Sequence, residues 1–543
     1  MPMHPSLSPI PPGKPQKSRK RITHEGRPEL AWHWTGILFL LLWIVPAMGL
    51  PLDDSSPATA KGSILSNQDI EQFVARFNSM EDQNVTNSIP DAKSAAWLEK
   101  EIPRFDCPDP EVKEMYYYRW WSYRKHIEQT PDGYVLSEFL TRSLPGSSAL
   151  GHQIAEGRWL HDSIYMDDYV RYWLRSPENM GQLHKYSNWL ESALYDRYCV
   201  ILDREFISSI LGQMAQDYQK WEQDHLTPDG LFWQYDVRDG MEESISGSRT
   251  VKNLRPTING YMYANARAIA AMAQMAGKPG MAAEFTGRAN RLRQLVESNL
   301  WQPQARFYEV QRPNGESSGV REELGFIPWM FDLPPDDANH AMAWTQLTAQ
   351  GGFSAPYGIT TAEQRSPFFR THGYGHCEWD GAVWPFATSQ TLDALSRLLR
   401  DYHQSVVSKS QFYDAFLTYV ESQHAGGKPY IGEYLDETTG QWINGKAGRS
   451  RYYNHSTFAD LVITGVVGLM PRADDTLEVW PLLPDHLWDY FCLDDVAYHH
   501  HRISIVWDQD GRHYGMGKGL IVFVDGQKWR ESSQLSRLEG GLP

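Results

Sequence analysis

The chain has 543 residues with a formal net charge of −16, and 41% of it is hydrophobic against 22% charged. Those proportions belong to a folded chain and exclude a disordered one. The acidic balance excludes the basic face that phosphate backbones and anionic lipids require, so no nucleic-acid partner is expected. Aromatic residues reach 13%, with 21 Trp and 28 Tyr; such rings offer flat apolar faces with a polar edge, suited to core packing and to sugars alike.

Residues 1–30 are basic and proline-rich, with Lys17, Arg19, Lys20 and Arg21, and an apolar run follows from Trp34 to Val45 before Pro46-Ala47-Met48-Gly49. A basic flank, a short apolar core and a small-x-small site form the pattern of a secretory signal. The run is shorter than the roughly 20 residues that span a bilayer. Residues 1–49 therefore read as a signal peptide, or as a signal-anchor, and only a retained anchor would make the membrane a partner. Either way the remainder faces the secretory lumen or the exterior. The sequons Asn84-Val85-Thr86 and Asn454-His455-Ser456 are compatible with that compartment. Residues 50–67 read as a polar linker.

From 68 to 470 the dominant pattern is helical. Ile210, Met214, Tyr218 and Trp221 fall on one helical face, as do Phe285, Ala289, Leu292 and Val296, and again Leu392, Leu395, Leu398, Leu399 and Tyr402. The run Met115 to Trp121 reads as helix core. Long Gly/Pro/Asp-rich loops carrying Trp, Asp and Glu separate the helices, and such loops are where a site is built. Over 471–543 the pattern changes to β-branched runs, Leu477–Trp480, His501–Trp507 and Leu520–Gly526, so a small β-structure is expected there. The His499-His500-His501 triplet reads as a strand edge whose neighbours face opposite ways, which disfavours a common metal. Cys107, Cys199, Cys377 and Cys492 form no CxxC pair, leaving disulfides and buried thiols both open. No metal or other cofactor is expected.

Three loop segments concentrate carboxylates, aromatics and glycine: 236–259, with Gly240-Met241-Glu242-Glu243-Ser244; 377–385, with Trp379-Asp380-Gly381 and Trp384-Pro385; and 431–440, with Gly432-Glu433-Tyr434. A glycosidase needs one carboxyl protonated at working pH and a second that activates water or attacks carbon. Aromatic walls that raise one pKa by desolvation suit that demand. The order of these segments resembles that of the six-hairpin glycosidases, and most closely the mannosylglycerate-hydrolase-like domain of glycoside hydrolase family 63, with trehalases more distant. The likeness covers roughly residues 110–530.

That resemblance implies a mainly α fold, an (α/α)6 toroid barrel over 68–470 with a small C-terminal β-structure. It implies an exo-acting, inverting glycoside hydrolase for a neutral oligosaccharide or glycoside, with Glu242 as general acid and Glu433 as general base. Spacing from Gly240 favours Glu242, with Glu243 as the alternative. Trp379, Asp380, Trp384 and Asn259 fall on the family's sugar-site segments, and Arg158, Trp159 and Asp162 on an early loop that contacts sugar in relatives. Two departures stand out: the acid position holds Glu where relatives have Asp, and Asp380 stands where they carry Arg or Asn. Both point to a different sugar. Two other readings remain, a non-catalytic carbohydrate-binding protein and a polysaccharide lyase using Arg370, His372, Tyr374 and His376.

Overall fold

Apolar faces repeating every three to four residues become the long helices of the computed structural model, which describes residues 63–80, 87–141, 145–371, 377–443 and 450–543. The apolar run 34–45, the Asn84 sequon, and His372, Tyr374 and His376 lie outside these residues. Everything described belongs to one unit, 59–543. Among the described residues no helix is long and apolar enough to cross a membrane.

The three predicted stripes sit in helices Arg204–His225, Pro279–Asn299 and Pro385–Asp401. Their stripe residues from Ile210 to Leu398 are buried, apart from the partly exposed Leu399. Asp203 caps the first by accepting from the Phe206 amide at 2.8 Å. Helices Pro256–Met275, Pro279–Asn299 and Pro385–Asp401 each open on proline, whose fixed φ and missing N–H cost nothing in the first turn. Helix Pro110–Tyr123 is buried on all sides from Met115 to Tyr123, so its aromatic run is core.

The expected C-terminal strands form two sheets. One runs Leu469–Met470, Thr476–Val479 and Leu538–Gly541. The other contains β1 (Arg104–Asp106), β2 (Tyr490–Tyr498), β3 (His501–Asp508), β4 (Gly519–Val524) and β5 (Gln527–Ser532), all antiparallel and in that spatial order. β1 comes from far upstream and pairs Phe105 with Leu493, so the sheet is not built from the C-terminal region alone. One continuous core joins the helices to one face of the sheet. On its other face, Cys492, Val506, Ile521 and Phe523 are covered by Ile64, Leu65 and Tyr514.

Two expectations are corrected here. The segment read as linker to residue 67 is docked from residue 63, where the Ser63 hydroxyl and the Ile64 and Leu65 amides all donate to Asp494 Oδ2 at 2.7–2.9 Å. His499 and His500 are not on a strand; with φ of 49° and 65° they form the two-residue turn between β2 and β3, the left-handed pair that matches strand twist. Cys107, Cys199 and Cys492 are buried thiols, and burial pushes each above the usual thiol range.

Near the middle of the chain the Glu156 carboxylate accepts from the amides of Phe458, Ala459 and Asp460 at 2.5, 3.2 and 3.0 Å. Arg119 stands 3.6 Å away, and both side chains are buried. The carboxylate thereby starts the tightly buried segment Leu461–Val467, which has no side-chain cap of its own. Replacing it leaves three buried amides without their acceptor and the buried Arg119 without its counter-charge. Glu156→Ala is expected to lower unfolding free energy by about 3–5 kcal/mol, measured by urea denaturation.

Candidate active site

Segment 236–259 is shaped by a buried ion pair. Arg255 Nε donates to Asp239 Oδ2 at 2.7 Å with both side chains fully buried, and the Thr257 hydroxyl donates to the same oxygen. The Met241 amide returns to the Asp236 carbonyl at 3.0 Å. Closing this turn requires left-handed backbone at Gly240, φ 72°, and at Glu243, φ 64°, the first of which glycine adopts without strain. The reversal separates the two adjacent glutamates. Glu242 lines a cavity, whereas Glu243 turns outward and accepts from Arg249 at 2.8 and 3.0 Å. Of the two adjacent glutamates, Glu242 is the one on the cavity wall.

Backbone hydrogen bonds bring the other two segments to the same place. The Trp379 amide donates to the Glu242 carbonyl at 3.4 Å, and Val383 and Leu435 exchange amide-to-carbonyl bonds at 3.0 Å each. Trp384 is sandwiched between Trp379 and Tyr434, with ring centroids 4.4 and 4.6 Å away. Arg370 reinforces the join: it donates to Glu378 and lies 3.3 Å from Glu437.

These segments enclose a cavity of about 140 Å³ whose wall includes Glu138, Glu242, Glu433, Trp384, Tyr453 and His455. Burial pushes Glu242 up to about 7, with the negative charge of Glu433 adding to the effect. Glu433 is 5% exposed and accepts from the Ser450 hydroxyl at 2.8 Å. Glu138 Oε1 accepts from Tyr453 and Ser148 at 2.7 Å each. Burial first, then the charges of Glu138, Glu433 and Glu242, holds the Tyr453 phenol well above its usual range. A carboxyl still protonated near neutral pH thus shares one small space with a second carboxyl held by a hydroxyl, which is the chemical requirement for acid and base on opposite sides of one bond.

Of the residues singled out from sequence, Glu242, Glu433 and Trp384 meet on the cavity wall, and Trp379 backs it through its stack on Trp384. The others are elsewhere. Asp380 is buried outside the wall, its carbonyl accepting from the Arg370 amide at 2.9 Å. Asn259 is fully buried and holds the Phe232 amide and carbonyl, both at 2.8 Å, with the Arg255 carbonyl at 2.9 Å; it braces a loop. Arg158 and Trp159 both donate to Asp460 Oδ1, and Arg158 lines a separate cavity of about 630 Å³ that contains neither Glu242 nor Glu433. Asp162 accepts from the Ile164 amide at 3.1 Å as a helix-entry contact. Arg158, Trp159, Asp162 and Asn259 have structural contacts in place of the sugar contacts expected of them, and Asp380 lies off the cavity wall.

Asn454 is 3% exposed with its Nδ2 buried, which is incompatible with a glycan there in the folded chain. The guanidinium expected to neutralise a uronate, Arg370, is already occupied by Glu378 and Glu437, against the lyase reading. Glu138, Ser148 and Tyr453 were not singled out from the sequence, and His455 stood out only within the Asn454-His455-Ser456 stretch, a sequon that also fits the order of segments in the resembled family. The first three carry no local motif.

The mannosylglycerate hydrolase MGH1-like glycoside hydrolase domain model matches residues 146–456, and the C-terminal domain model of glycosyl hydrolase family 65 matches 470–530. Among solved structures, a protein called sialidase is 47% identical with a TM-score of 0.87, covering 89% of this chain and 46% of its own. The chain thus spans less than half the length of that relative. The GH63 mannosylglycerate hydrolase of Thermus thermophilus in complex with glucose is 14% identical with a TM-score of 0.50, covering 64% of this chain and 99% of its own. The GH78 family rhamnosidase of Bacillus sp. GL1 is 12% identical with a TM-score of 0.56, covering 75% and 40%. These last two share the fold.

The raised Glu242 pKa has a direct check. Carboxyl carbon NMR should show a group titrating near 7 that vanishes in Glu242→Gln. In Glu433→Gln the same group should titrate lower, because removing a neighbouring negative charge favours the ionised form. An unmoved midpoint would show that burial alone sets it.

Proposed function

The chain belongs to the mannosylglycerate hydrolase MGH1-like glycoside hydrolase family, and from that premise we propose that it hydrolyses the terminal glycosidic bond of a neutral oligosaccharide or glycoside, with inversion, on an (α/α)6 toroid. The observation that carries this reading is Glu242, raised to about 7, in one small cavity with Glu433. Glu242 donates its proton to the departing glycosidic oxygen while that bond to the anomeric carbon breaks. Glu433, oriented by Ser450, takes a proton from the water whose oxygen attacks the same carbon from the opposite face. Glu242 leaves the step ionised and Glu433 protonated, and exchange with solvent resets both. Trp384 supplies a flat apolar wall for the ring.

The cavity is smaller than the about 300–1,000 Å³ of common ligand clefts, which supports recognition of one terminal ring. Its three carboxyls, Glu138, Glu242 and Glu433, favour an uncharged sugar, since an anionic one would set like charges together. The relative called sialidase makes a sialoside the competing substrate. The N-terminal signal pattern supports action in the secretory lumen or outside the cell.

A panel of aryl-glycosides and oligosaccharides, sialosides included, tests this. Glu433→Gln and Glu242→Gln should each lose about 10²–10⁴-fold in turnover on the best substrate, and Glu243→Gln should stay within about twofold, since its carboxylate faces Arg249. Wild-type activity should fall as pH rises through about 7, where Glu242 loses its proton. Proton NMR of the first sugar released should show the inverted anomer. Full activity in Glu433→Gln, or a retained anomer, overturns the assignment.

A further inference from the structure

His455 is 2% exposed, and both of its ring nitrogens are buried without a hydrogen-bond partner. Its side chain lines the cavity that holds Glu242 and Glu433. Two other buried histidines, His126 and His499, are bonded by their surroundings through at least one ring nitrogen. His126 contacts the Ser137 hydroxyl at 3.2 Å and the Tyr452 carbonyl at 2.6 Å, and His499 contacts two backbone carbonyls at 2.9 Å. His152 also leaves its Nε2 unmet, but it is not on the cavity wall. His455 leaves both nitrogens unmet and lines the cavity, and an unmet buried polar group opposes folding unless something meets it.

The ring is nonetheless firmly placed. Neighbouring backbone is anchored on both sides, by Gln153 donating to the Asn454 carbonyl at 3.1 Å and Arg119 donating to the Ser456 carbonyl at 2.6 Å. Tyr453 meets the imidazole edge-on with centroids 3.5 Å apart, and Phe386 and Trp384 lie 5.7 and 6.1 Å away. Burial, with the charges of His152 and Arg119 adding, holds the ring well below the usual histidine range, so it is neutral. Neutral imidazole presents one N–H donor and one bare nitrogen acceptor. A sugar hydroxyl, which donates and accepts, matches either nitrogen. Tyr453 connects this ring to Glu138 through its phenol, and Ser148 fixes the same carboxylate oxygen.

We infer that His455, with the Tyr453-held Glu138 beside it, forms the hydroxyl-reading wall of the sugar subsite, the neutral imidazole hydrogen-bonding one hydroxyl of the ring whose bond is cleaved. The inference rests on the glycosidase reading for the identity of that ring. Its chemistry requires only that an uncharged polyol enter the cavity. His455 is a binding residue, and the acid and base remain Glu242 and Glu433.

The experiment compares wild type with His455→Phe, which keeps a ring and removes both nitrogens, and His455→Asn, which keeps a donor and an acceptor. Each is assayed on the best aryl-glycoside and on its monodeoxy analogues, with melting temperatures measured alongside. His455→Phe should lose about 10- to 100-fold in kcat/KM, and His455→Asn should recover part of it. One monodeoxy analogue should be poor for wild type yet no worse than the parent glycoside for His455→Phe. If every analogue loses the same factor in both proteins, or His455→Phe matches wild type, the inference is overturned. Calorimetric binding of D-glucose, D-mannose and D-galactose separates the two readings. Should wild type cleave no glycoside yet bind one of these sugars in a His455-dependent way, the glycosidase reading falls and the wall assignment stands. Equal binding by His455→Phe, or no binding by wild type, overturns the assignment.

Discussion

The reciprocal hydrogen bonds between Val383 and Leu435 join the tryptophan loop to the loop of Glu433, and the Trp379-to-Glu242 bond continues the join to the turn that carries Glu242. Every distance in the cavity depends on these few backbone contacts. The loops come from residues almost 200 positions apart in the chain, and none could hold a carboxyl in place alone. The Trp379–Trp384–Tyr434 stack adds a rigid apolar layer directly behind the join. Long helices that open on proline immediately after Arg255 and Trp384 give two of the loops a firm exit.

The same enclosure creates the electrostatic asymmetry on which acid–base chemistry relies. Glu242 and Glu433 are chemically alike, yet burial and a neighbouring like charge raise the first toward neutrality, while a hydroxyl donor orients the second. Environment assigns roles to identical side chains. Glu138, tied by Tyr453 and Ser148, and His455 lie on the same cavity wall as Trp384. Charge elsewhere is used differently: the larger cavity near Arg158 contains paired arginines and aspartates, and Arg158 is consumed by Asp460.

Relatives share this scaffold at very different levels of identity. At 12–14% the mannosylglycerate hydrolase and the rhamnosidase retain the arrangement of helices, which requires only apolar faces of the right period. Here β1, from residues 104–106, closes one edge of its sheet, and residues 63–65 dock on Asp494 to cover the far face.

Helical and strand segments were legible in the sequence because burial periodicity is a local property; Ile210 to Trp221 and His501 to Trp507 lie where their patterns placed them. Glu242, Glu433 and Trp384 were legible as well, since each stands in a loop with a recognisable order of glycine, aromatic and acid. Arg158, Trp159, Asp162 and Asn259 misled because their residue types suit sugar binding equally well as bracing, and only the location of Asp460, Phe232 and Ile164 distinguishes the two. Tertiary structure alone decided that Glu243 turns away, through a left-handed backbone residue beside a buried Arg255–Asp239 pair. It also brought in Glu138, Tyr453 and His455, whose part in the cavity depends on contacts across about 300 residues of chain that no local pattern encodes. Sequence by itself determined the helical class and pointed to the two glutamates that share one cavity; the fold determined which groups face them, because direction and enclosure arise only when distant segments pack.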